Sequence, residues 1–273
     1  MTANLQLPWF FTIAVPPDHD PKHQLPNFET AAQAKQRRRQ LIRCLRGGEN
    51  EHRWLARKLR RCREKSPCGS MACPVCQRRY RRWWLAQAAP LLNHSRDQTA
   101  VSLIVPHWQR PFGRLHEFDA RRFKAAMRAR LRRALPDNLV VGGIDISLNV
   151  GGLFASRTWA PHVYLIVDDA DKETVRAALE GTVKATPEVP RPLQVRAVRE
   201  PLSALSYAVK PFIGRRCSYV ARDGKRATRK TRLKAAEALE AALVMDGMRP
   251  QDRLILKGVR LRGGRLVATS GRR

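Results

Sequence analysis

The sequence predicts an α+β protein, in which an antiparallel sheet of the split βαβ arrangement carries helices on one face and follows a helical module with a cysteine cluster. Two observations lead to this prediction. Four of the six cysteines lie between positions 62 and 76, at a spacing typical of metal ligands. In the middle of the chain, segments with alternating apolar residues, typical of strands, are interspersed with segments whose apolar residues recur every four positions, typical of helices.

Residues 1–95 are predicted to form a basic, mainly helical module. A helical pattern runs from Phe28 to Glu64 with a break at Gly47-Gly48, and a second helix is expected from about Gln77 to Leu92. The apolar run from Leu7 to Val15 is shorter than the roughly 20 residues of a membrane span. It also lacks the basic start and small-residue cleavage site of a signal peptide. We therefore expect no membrane partner.

Residues 96–215 are predicted to form the sheet. Six elements follow in the order strand, helix, strand, strand, helix, strand, with bounds 100–105, 118–135, 140–150, 161–167, 172–184 and 193–198. This order is the split βαβ, or RRM- and ferredoxin-like, arrangement of an antiparallel sheet. A further helix is expected to begin at Pro201, because proline is tolerated in the first helical turn.

Residues 216–273 are predicted to be a basic C-terminal segment. It contains one helix, from Thr231 to Met245, and two short strands around 254–259 and 265–269. No motif that carries chemistry is recognised in this segment.

The net charge of +30, from 53 Lys and Arg against 23 acidic residues, predicts a polyanionic partner. An excess of this size is self-repelling unless phosphates neutralise it. Arginine outnumbers lysine, which suits bidentate phosphate contacts and stacking on bases. The alternative is a soluble protein with one heavily charged face. Cysteines bunched at metal spacing, rather than spread as a disulfide framework, favour a reducing, cytoplasmic environment.

The cysteine cluster predicts a zinc knuckle. Its expected ligands are Cys62, Cys68, Cys73 and Cys76. Thiolates a few residues apart can be turned toward one tetrahedral metal, and four of them leave no open position, so this zinc is expected to be structural rather than catalytic. Five residues separate Cys62 from its neighbour, and Cys44 or His52 is an alternative to it.

A run of arginines and tryptophans after the cysteines is predicted to contact nucleic acid through phosphates and base stacking. Its members are Arg78, Arg79, Arg81, Arg82, Trp83 and Trp84. Arg121 and Arg122, in the predicted arginine-rich helix, are expected to add phosphate contacts. Trp108 is a further candidate for stacking on unpaired bases.

A small polar site is predicted where two successive strands pair. His162 and Tyr164 are two residues apart and therefore project from the same face of one strand. Asp145, Ser147 and Asn149 share a face of the preceding strand for the same reason. The alternative is a histidine at a strand end with a tyrosine packed beside it.

Tyr207 and Lys210 lie three residues apart in the helix expected from Pro201, so the phenol and the ammonium share a helix face. A nearby cation favours the phenolate and can hold a phosphate oxygen, which suits a phenolate that attacks phosphorus. The same Tyr-x-x-Lys spacing also occurs on many surface helices.

Taken in order, four segments resemble the rolling-circle replication initiators of the His-hydrophobic-His (HUH) endonuclease superfamily. They are Thr99–Pro106, Val141–Val150, Trp159–Val167 and Tyr207–Lys210, within residues 60–215. The resemblance implies a βαββαβ sheet, a Pro-His-hydrophobic-His metal motif on a central strand, and a nucleophilic tyrosine in a Tyr-x-x-Lys helix. Some members of the family also carry a cysteine-rich finger upstream of the sheet.

By this resemblance, Tyr207 is the nucleophile, Lys210 holds the phosphate and His162 binds a catalytic Mg or Mn ion. The implied function is to nick single-stranded or hairpin origin DNA, leaving a 5′-phosphotyrosyl link and a free 3′-hydroxyl. Host replication proteins are further expected partners.

The chain departs from the family in its metal motif, because Tyr164 stands where the family has a second histidine. Asp145 and Asn149 are the remaining candidate ligands, and the family often has an acidic residue on that strand. One alternative is therefore a DNA-binding protein of a plasmid, phage or mobile element whose nuclease has lapsed. Another is an RNA-binding zinc protein on an RRM-like sheet, which would need exposed aromatic residues such as Tyr164 on an open face.

Overall fold

The structure is a computed structural model that describes residues 25, 28–92, 97–151, 156–187, 189–211 and 213–269. The apolar run from Leu7 to Val15 lies outside the described residues. Within them, no helix is long and apolar enough to cross a membrane.

The N-terminal part is helical, as predicted. Helix α1 spans Ala31–Arg46, α2 spans Asn50–Arg61 and α3 spans Pro74–Leu92. The side chain of Thr30 accepts a hydrogen bond from the backbone of Gln33, whose own side chain accepts from the backbone of Thr30, so α1 begins with a capping box. The predicted break at Gly47-Gly48 separates α1 from α2.

Among the described residues, ten strands and four further α-helices follow. The strands are β1 (Gln98–Ile104), β2 (Arg110–Pro111), β3 (Val140–Val150), β4 (Arg157–Asp168), β5 (Leu193–Ala197), β6 (Gly214–Val220), β7 (Arg226–Thr231), β8 (Leu254–Lys257), β9 (Val259–Arg262) and β10 (Arg265–Ala268). The helices are α4 (Ala120–Ala134), α5 (Lys172–Leu179), α6 (Pro201–Ala208) and α7 (Ala235–Gly247). The six predicted elements of the sheet region and the helix that begins at Pro201 are confirmed, although α5 ends at Leu179 and not at residue 184 as predicted.

The main sheet has the strand order β5-β1-β4-β3-β6-β7, and β3 and β4 pair along their whole length at its centre. The far side of β3 is shared, because β8 pairs with residues 140–143 and β6 with residues 147–150. The β3–β6 pair is parallel, so the sheet is mixed and the prediction of a wholly antiparallel sheet is wrong at β6. Helix α6, which precedes β6 in the chain, packs against β3 and β4.

The C-terminal prediction is corrected in one place. Thr231 ends β7, and α7 begins only at Ala235. The β6–β7 pair lies largely at the surface and lacks the apolar alternation of a half-buried strand, so the sequence pattern gave no sign of it. The later strands agree with the predicted ones, and one hydrophobic core includes residues of all three predicted segments.

Candidate active site and metal cluster

The centre of the sheet brings His162 and Asp145 together. They are opposite each other on β4 and β3, and each is 3% exposed. The Nε2 atom of His162 lies 2.9 Å from Oδ2 of Asp145, and its Nδ1 atom lies 2.9 Å from the carbonyl oxygen of Ala160. Both ring nitrogens of His162 are therefore engaged by protein oxygens.

Helix α6 and the residues after it add Lys210 and Tyr207 to this pair. The Nζ atom of Lys210 forms an ion pair with the same Oδ2 atom of Asp145 and lies 4.8 Å from the ring centroid of Tyr207. The Tyr207 ring meets that of Tyr164 edge-on, with 4.7 Å between centroids. Tyr207 is 36% exposed, so its side chain is open to solvent while its neighbours are covered.

The charges of this cluster act on Asp145. Burial alone would raise the pKa of Asp145, but the charges of His162 and Lys210 beside it outweigh burial and hold the pKa well below its ordinary range. Burial raises the pKa of the Tyr164 phenol, and Tyr207 adds to that rise. Asp145 is therefore a carboxylate that joins an imidazole to an ammonium.

The close approach of α6 to the sheet depends on a glycine. A Cβ atom at Gly143 would lie 2.4 Å from the carbonyl oxygen of Ala208, so any larger residue there would push α6 away from β3. Gly143 is opposite Tyr164 and lies on the same face as Asp145. The small residue on β3 thus allows Tyr207 to reach the polar pair.

Helix α3 holds α6 from its other side. The indole Nε1 of Trp84 donates to the carbonyl oxygen of Leu205 at 2.9 Å. Arg81 donates to the hydroxyl of Ser206 and forms an ion pair with Glu29, and its side chain is only 8% exposed. These contacts fix the helix that carries Tyr207.

The same contacts correct the predicted nucleic-acid interface. Trp83 and Trp84 are fully buried, and the indole nitrogen of Trp83 donates to the carbonyl oxygen of Gly264 at 2.9 Å. Trp108 is also buried, against Phe118 and Phe123. The prediction that these indoles stack on bases is wrong, because none of their ring faces is open to a ligand.

The remaining predicted arginines differ in exposure. Arg81 is buried as described, whereas Arg78, Arg79 and Arg82 are half-buried. Arg78 donates to the carbonyl oxygen of Glu29 at 2.8 Å. The two arginines at the start of α4, Arg121 and Arg122, are exposed, and Arg121 lies 3.4 Å from a carboxylate oxygen of Asp252. Phosphate contacts at the exposed arginines stay a prediction.

The four residues predicted to bind a divalent ion are not brought together as a set. Asn149 is four residues from Asp145 along β3, a separation of about 13 Å. Its side chain lies 3.5 Å from the hydroxyl of Ser147 instead. Tyr164 packs against Tyr207, and the nitrogens of His162 are already engaged. The donor set therefore does not fit a hard cation, which needs several oxygen or imidazole ligands at short range.

Arg253 belongs to the site although no motif pointed to it. It is 5% exposed and donates to the carbonyl oxygens of Ile144, at 3.4 Å, and Lys210, at 3.3 Å. It thereby ties the backbone beside Asp145 to the backbone of Lys210. A single arginine near the C-terminus of so basic a chain gives no local signal, and the structure alone identifies it.

A cavity of about 550 Å³ opens beside the cluster. Its lining includes Tyr207 and Lys210 on one side and the basic side chains of Arg216 and Lys230 on another. The volume lies within the range of roughly 300–1,000 Å³ that is usual for ligand pockets. The cluster thus faces a space large enough for part of a substrate, in which basic side chains lie among mainly apolar ones such as Ile213 and Met245.

The four predicted cysteines form a second site. The Sγ atom of Cys76 lies 3.7 Å from that of Cys62 and 3.6 Å from that of Cys68, and Cys73 and Cys62 are 3.8 Å apart. Thiolates at about 2.3 Å from a tetrahedral zinc are about 3.8 Å from one another. The four sulfurs could therefore bind a metal such as zinc. Among the described residues, this is the one group of three or more metal-ligating side chains close enough to share an ion.

Local structure explains how these cysteines converge. Cys62 follows the last residue of α2, and Cys73 directly precedes Pro74, where α3 begins. Gly69 has a φ of +71°, which lets the chain turn sharply between them. Of the alternatives to Cys62, Cys44 contacts the carbonyl oxygen of Ala235, and His52 accepts from the backbone of Glu49 at the start of α2. Neither joins the cluster.

Comparison of the chain with protein-family models, with curated proteins and with solved structures found no match.

Proposed function

We propose that this protein binds DNA and cleaves one strand through Tyr207, which becomes joined to the 5′ phosphate. The observation that carries the proposal is that Tyr207, Lys210, Asp145 and His162 lie side by side on one face of the sheet, although they come from three parts of the chain. The exposed phenol, the adjacent ammonium and the basic side chains that Arg216 and Lys230 add to the cavity suit an attack on a phosphodiester.

In the proposed step, the phenolic oxygen of Tyr207 attacks phosphorus and a Tyr–O–P bond forms. The bond from phosphorus to the 3′ oxygen breaks, and that oxygen takes up a proton in place of the one the phenol loses. The phosphotyrosyl bond keeps the energy of the broken phosphodiester, so the strand can be rejoined by the reverse reaction without a nucleotide cofactor.

Lys210 is proposed to supply the positive charge at the phosphate. Its ammonium lies beside both the Tyr207 ring and Asp145, where it can donate to a phosphate oxygen. Asp145 holds this ammonium, and His162 holds Asp145 from the other side, so both are positioning residues. A divalent ion supplies such charge in the family that the sequence resembles, but the donor set of this chain does not fit one.

The strand order supports the resemblance to the HUH superfamily. The part β5-β1-β4-β3, with α4 between β1 and β3 and α5 between β4 and β5, is the order of a split βαβ sheet. In this comparison Tyr207 lies on the helix that follows the last of these strands, as expected for a Tyr-x-x-Lys nucleophile. We propose that the chain is related to the rolling-circle initiators on these grounds.

The cysteine cluster is proposed to hold one structural zinc ion. The sulfur separations suit a tetrahedral site, and four thiolates leave no position for a substrate. The zinc would fix the start of α3, which supports α6 through Trp84.

The test is covalent capture. The protein is incubated with a pool of single-stranded oligonucleotides, with Mn in one arm and EDTA in the other, and analysed on a denaturing gel for a shifted band. We expect an adduct with the native protein and none with Tyr207→Phe, whose ring keeps the packing against Tyr164 but has no hydroxyl. Trp54→Phe, at an exposed aromatic residue outside both clusters, is the control and should form the adduct normally.

The two arms separate the parts of the proposal. An adduct that survives in Tyr207→Phe would rule out the nucleophile. An adduct formed by the native protein only with Mn would keep Tyr207 but contradict the role given to the Lys210 ammonium.

A DNA-binding protein without cleavage is the second candidate. It is favoured by the ion pair itself, because Asp145 is already neutralised by Lys210 and, among the described residues, belongs to no group of three metal-ligating side chains. DNA binding with no adduct in either arm would select this candidate. An RNA-binding sheet is less favoured, since α6 covers the face on which Tyr164 would have to stack on bases.

A further inference from the structure

Strands β6 and β7 form a strongly basic surface that extends beyond the cavity of the candidate site. Residues 214–232, here called the basic ribbon, contain eight Lys and Arg residues and one acidic residue, Asp223. Arg222, Arg229 and Lys230 are exposed and, among the described residues, form no ion pair. Unneutralised cations at this density indicate a polyanionic partner.

The outer part of the basic ribbon stands clear of the sheet. Strand β6 pairs with β3 only as far as Cys217, and beyond that point it pairs with β7 alone. Tyr219 is 52% exposed and Val220 is 73% exposed, so the overhang carries apolar side chains as well as charge. Its two strand residues, Tyr219 and Val220, extend about 7 Å before the turn is counted, whereas Ser218 is half-buried against Gly151.

These dimensions match one groove of a nucleic acid. The major groove of B-form DNA is about 12 Å wide and 8.5 Å deep and admits a two-stranded ribbon, whereas the major groove of duplex RNA is too narrow for side chains to enter. Cations along the edges of the ribbon would face phosphates. An exposed valine at the tip suits contact with the methyl group of thymine.

The basic ribbon also begins at the candidate active site. Gly214 pairs with Ser147, two residues from Asp145 on β3, and Arg216 and Lys230 line the cavity that Tyr207 faces. A duplex held by the ribbon would therefore end next to Tyr207. We infer that the basic ribbon binds the major groove of duplex DNA and holds it beside the strand that Tyr207 attacks. The identity of the polyanion as DNA rests on the proposed function.

The chain contains a matched control for this inference. Strands β9 and β10 form a second basic hairpin, with exposed Arg260, Arg262 and Arg265. That hairpin lies against α3, where Trp83 donates to the carbonyl oxygen of Gly264 and the backbone of Leu266 donates to Gln87. Replacing three cations in either hairpin removes the same net charge, but only one of the two hairpins overhangs the sheet.

The experiment compares two triple variants. The ribbon variant combines Arg222→Ala, Arg229→Ala and Lys230→Ala. The β9–β10 variant combines Arg260→Ala, Arg262→Ala and Arg265→Ala. Binding to a fluorescent DNA duplex, to one of its single strands and to the corresponding RNA duplex is measured by anisotropy over a range of salt concentrations. For the ribbon variant we expect duplex affinity to fall on the order of tenfold and the salt slope to decrease by roughly 2.7, as three phosphate contacts are lost. In the β9–β10 variant, the duplex affinity and the salt slope should change much less.

A groove test completes the design. Methylation of guanine N7, which lies in the major groove, should weaken binding by the native protein, and a minor-groove drug should not. Equal losses in the two triple variants, equal losses for duplex and single strand, or competition by the minor-groove drug alone would each overturn the inference. The measurement is of equilibrium binding and does not depend on cleavage. If the protein binds the duplex but forms no adduct, the proposed nuclease activity is contradicted and the proposed role of the basic ribbon is not.

Discussion

The cysteine cluster and the Tyr207 cluster are both small constellations of reactive side chains, but they are built in different ways. The cysteines come from one continuous stretch, between the end of α2 and the first turn of α3. Tyr207, His162 and Asp145 come from α6, β4 and β3 and meet only when the sheet is complete. A local turn creates the first site, whereas the second depends on the packing of distant elements.

The two sites are nevertheless connected through α3. This helix begins at the cysteine cluster and, about three turns later, donates a hydrogen bond from Trp84 to the backbone of α6. Loss of the cysteine site should therefore disturb the position of Tyr207, while loss of the Tyr207 cluster should leave the cysteine site intact. The predictions below test this asymmetry.

The largest effect is expected from Cys73→Ser. If the cluster holds zinc, loss of one thiolate should release the metal and lower the free energy of unfolding by on the order of 5 kcal/mol or more, because metal binding and folding are coupled in such sites. Metal analysis should find about one zinc per chain in the native protein, and the variant should have lost it. Chemical denaturation measures the change in stability.

Cys44→Ser is the matched control, since that thiol lies outside the cluster and only contacts a backbone carbonyl. It should keep the zinc and nearly all of the stability. A native protein without zinc, or a Cys73→Ser variant as stable as Cys44→Ser, would contradict the role given to the cluster.

A smaller loss is expected from Asp145→Asn. This change leaves Lys210 and His162 without their shared carboxylate, and removing one partner from a buried ion pair typically costs roughly 3–5 kcal/mol. The zinc content should not change, because α3 and the cysteines are untouched. Asp223→Asn, at an exposed position on the basic ribbon, should have little effect on the free energy of unfolding.

The free energy of unfolding of Asp145→Asn should also depend on pH differently from that of the native protein. The folded-state pKa of Asp145 is depressed, so its contribution to stability is complete above the unfolded carboxyl pKa of about 3.9 and is lost as the pH falls through the folded value. As the pH falls below about 4, the free energy of unfolding of the native protein should therefore decrease more steeply than that of Asp145→Asn. Parallel curves for the two proteins would show that this carboxylate is not held as the structure indicates.

The contrast between the sites also explains how far sequence reasoning reached. The spacing of the cysteines identified all four members of the cluster, and the alternation of apolar and polar residues identified β3 and β4. Both patterns lie within a few neighbouring residues. Strand faces alone predicted a polar site of His162 with Asp145, Ser147 or Asn149, but did not decide which of the three meets the histidine. The burial of Trp83 and Trp84 could not be foreseen, since their partners are backbone carbonyls of Gly264 and Leu205, far along the chain. A run of tryptophans and arginines gives the same pattern whether it faces solvent or another helix.

The smallest effect, and the sharpest test of the link between the sites, is expected from Trp84→Phe. Phenylalanine fills much of the same space but cannot donate to Leu205, so a buried carbonyl loses its partner at a cost of roughly 1–2 kcal/mol. Zinc content should stay unchanged, while the yield of the Tyr207 adduct should fall because α6 is held less firmly. Trp54→Phe, at an indole that is 54% exposed on α2, should change neither quantity. If Trp84→Phe lost stability but kept its full adduct yield, α3 would support the fold without positioning Tyr207, and the two sites would be independent.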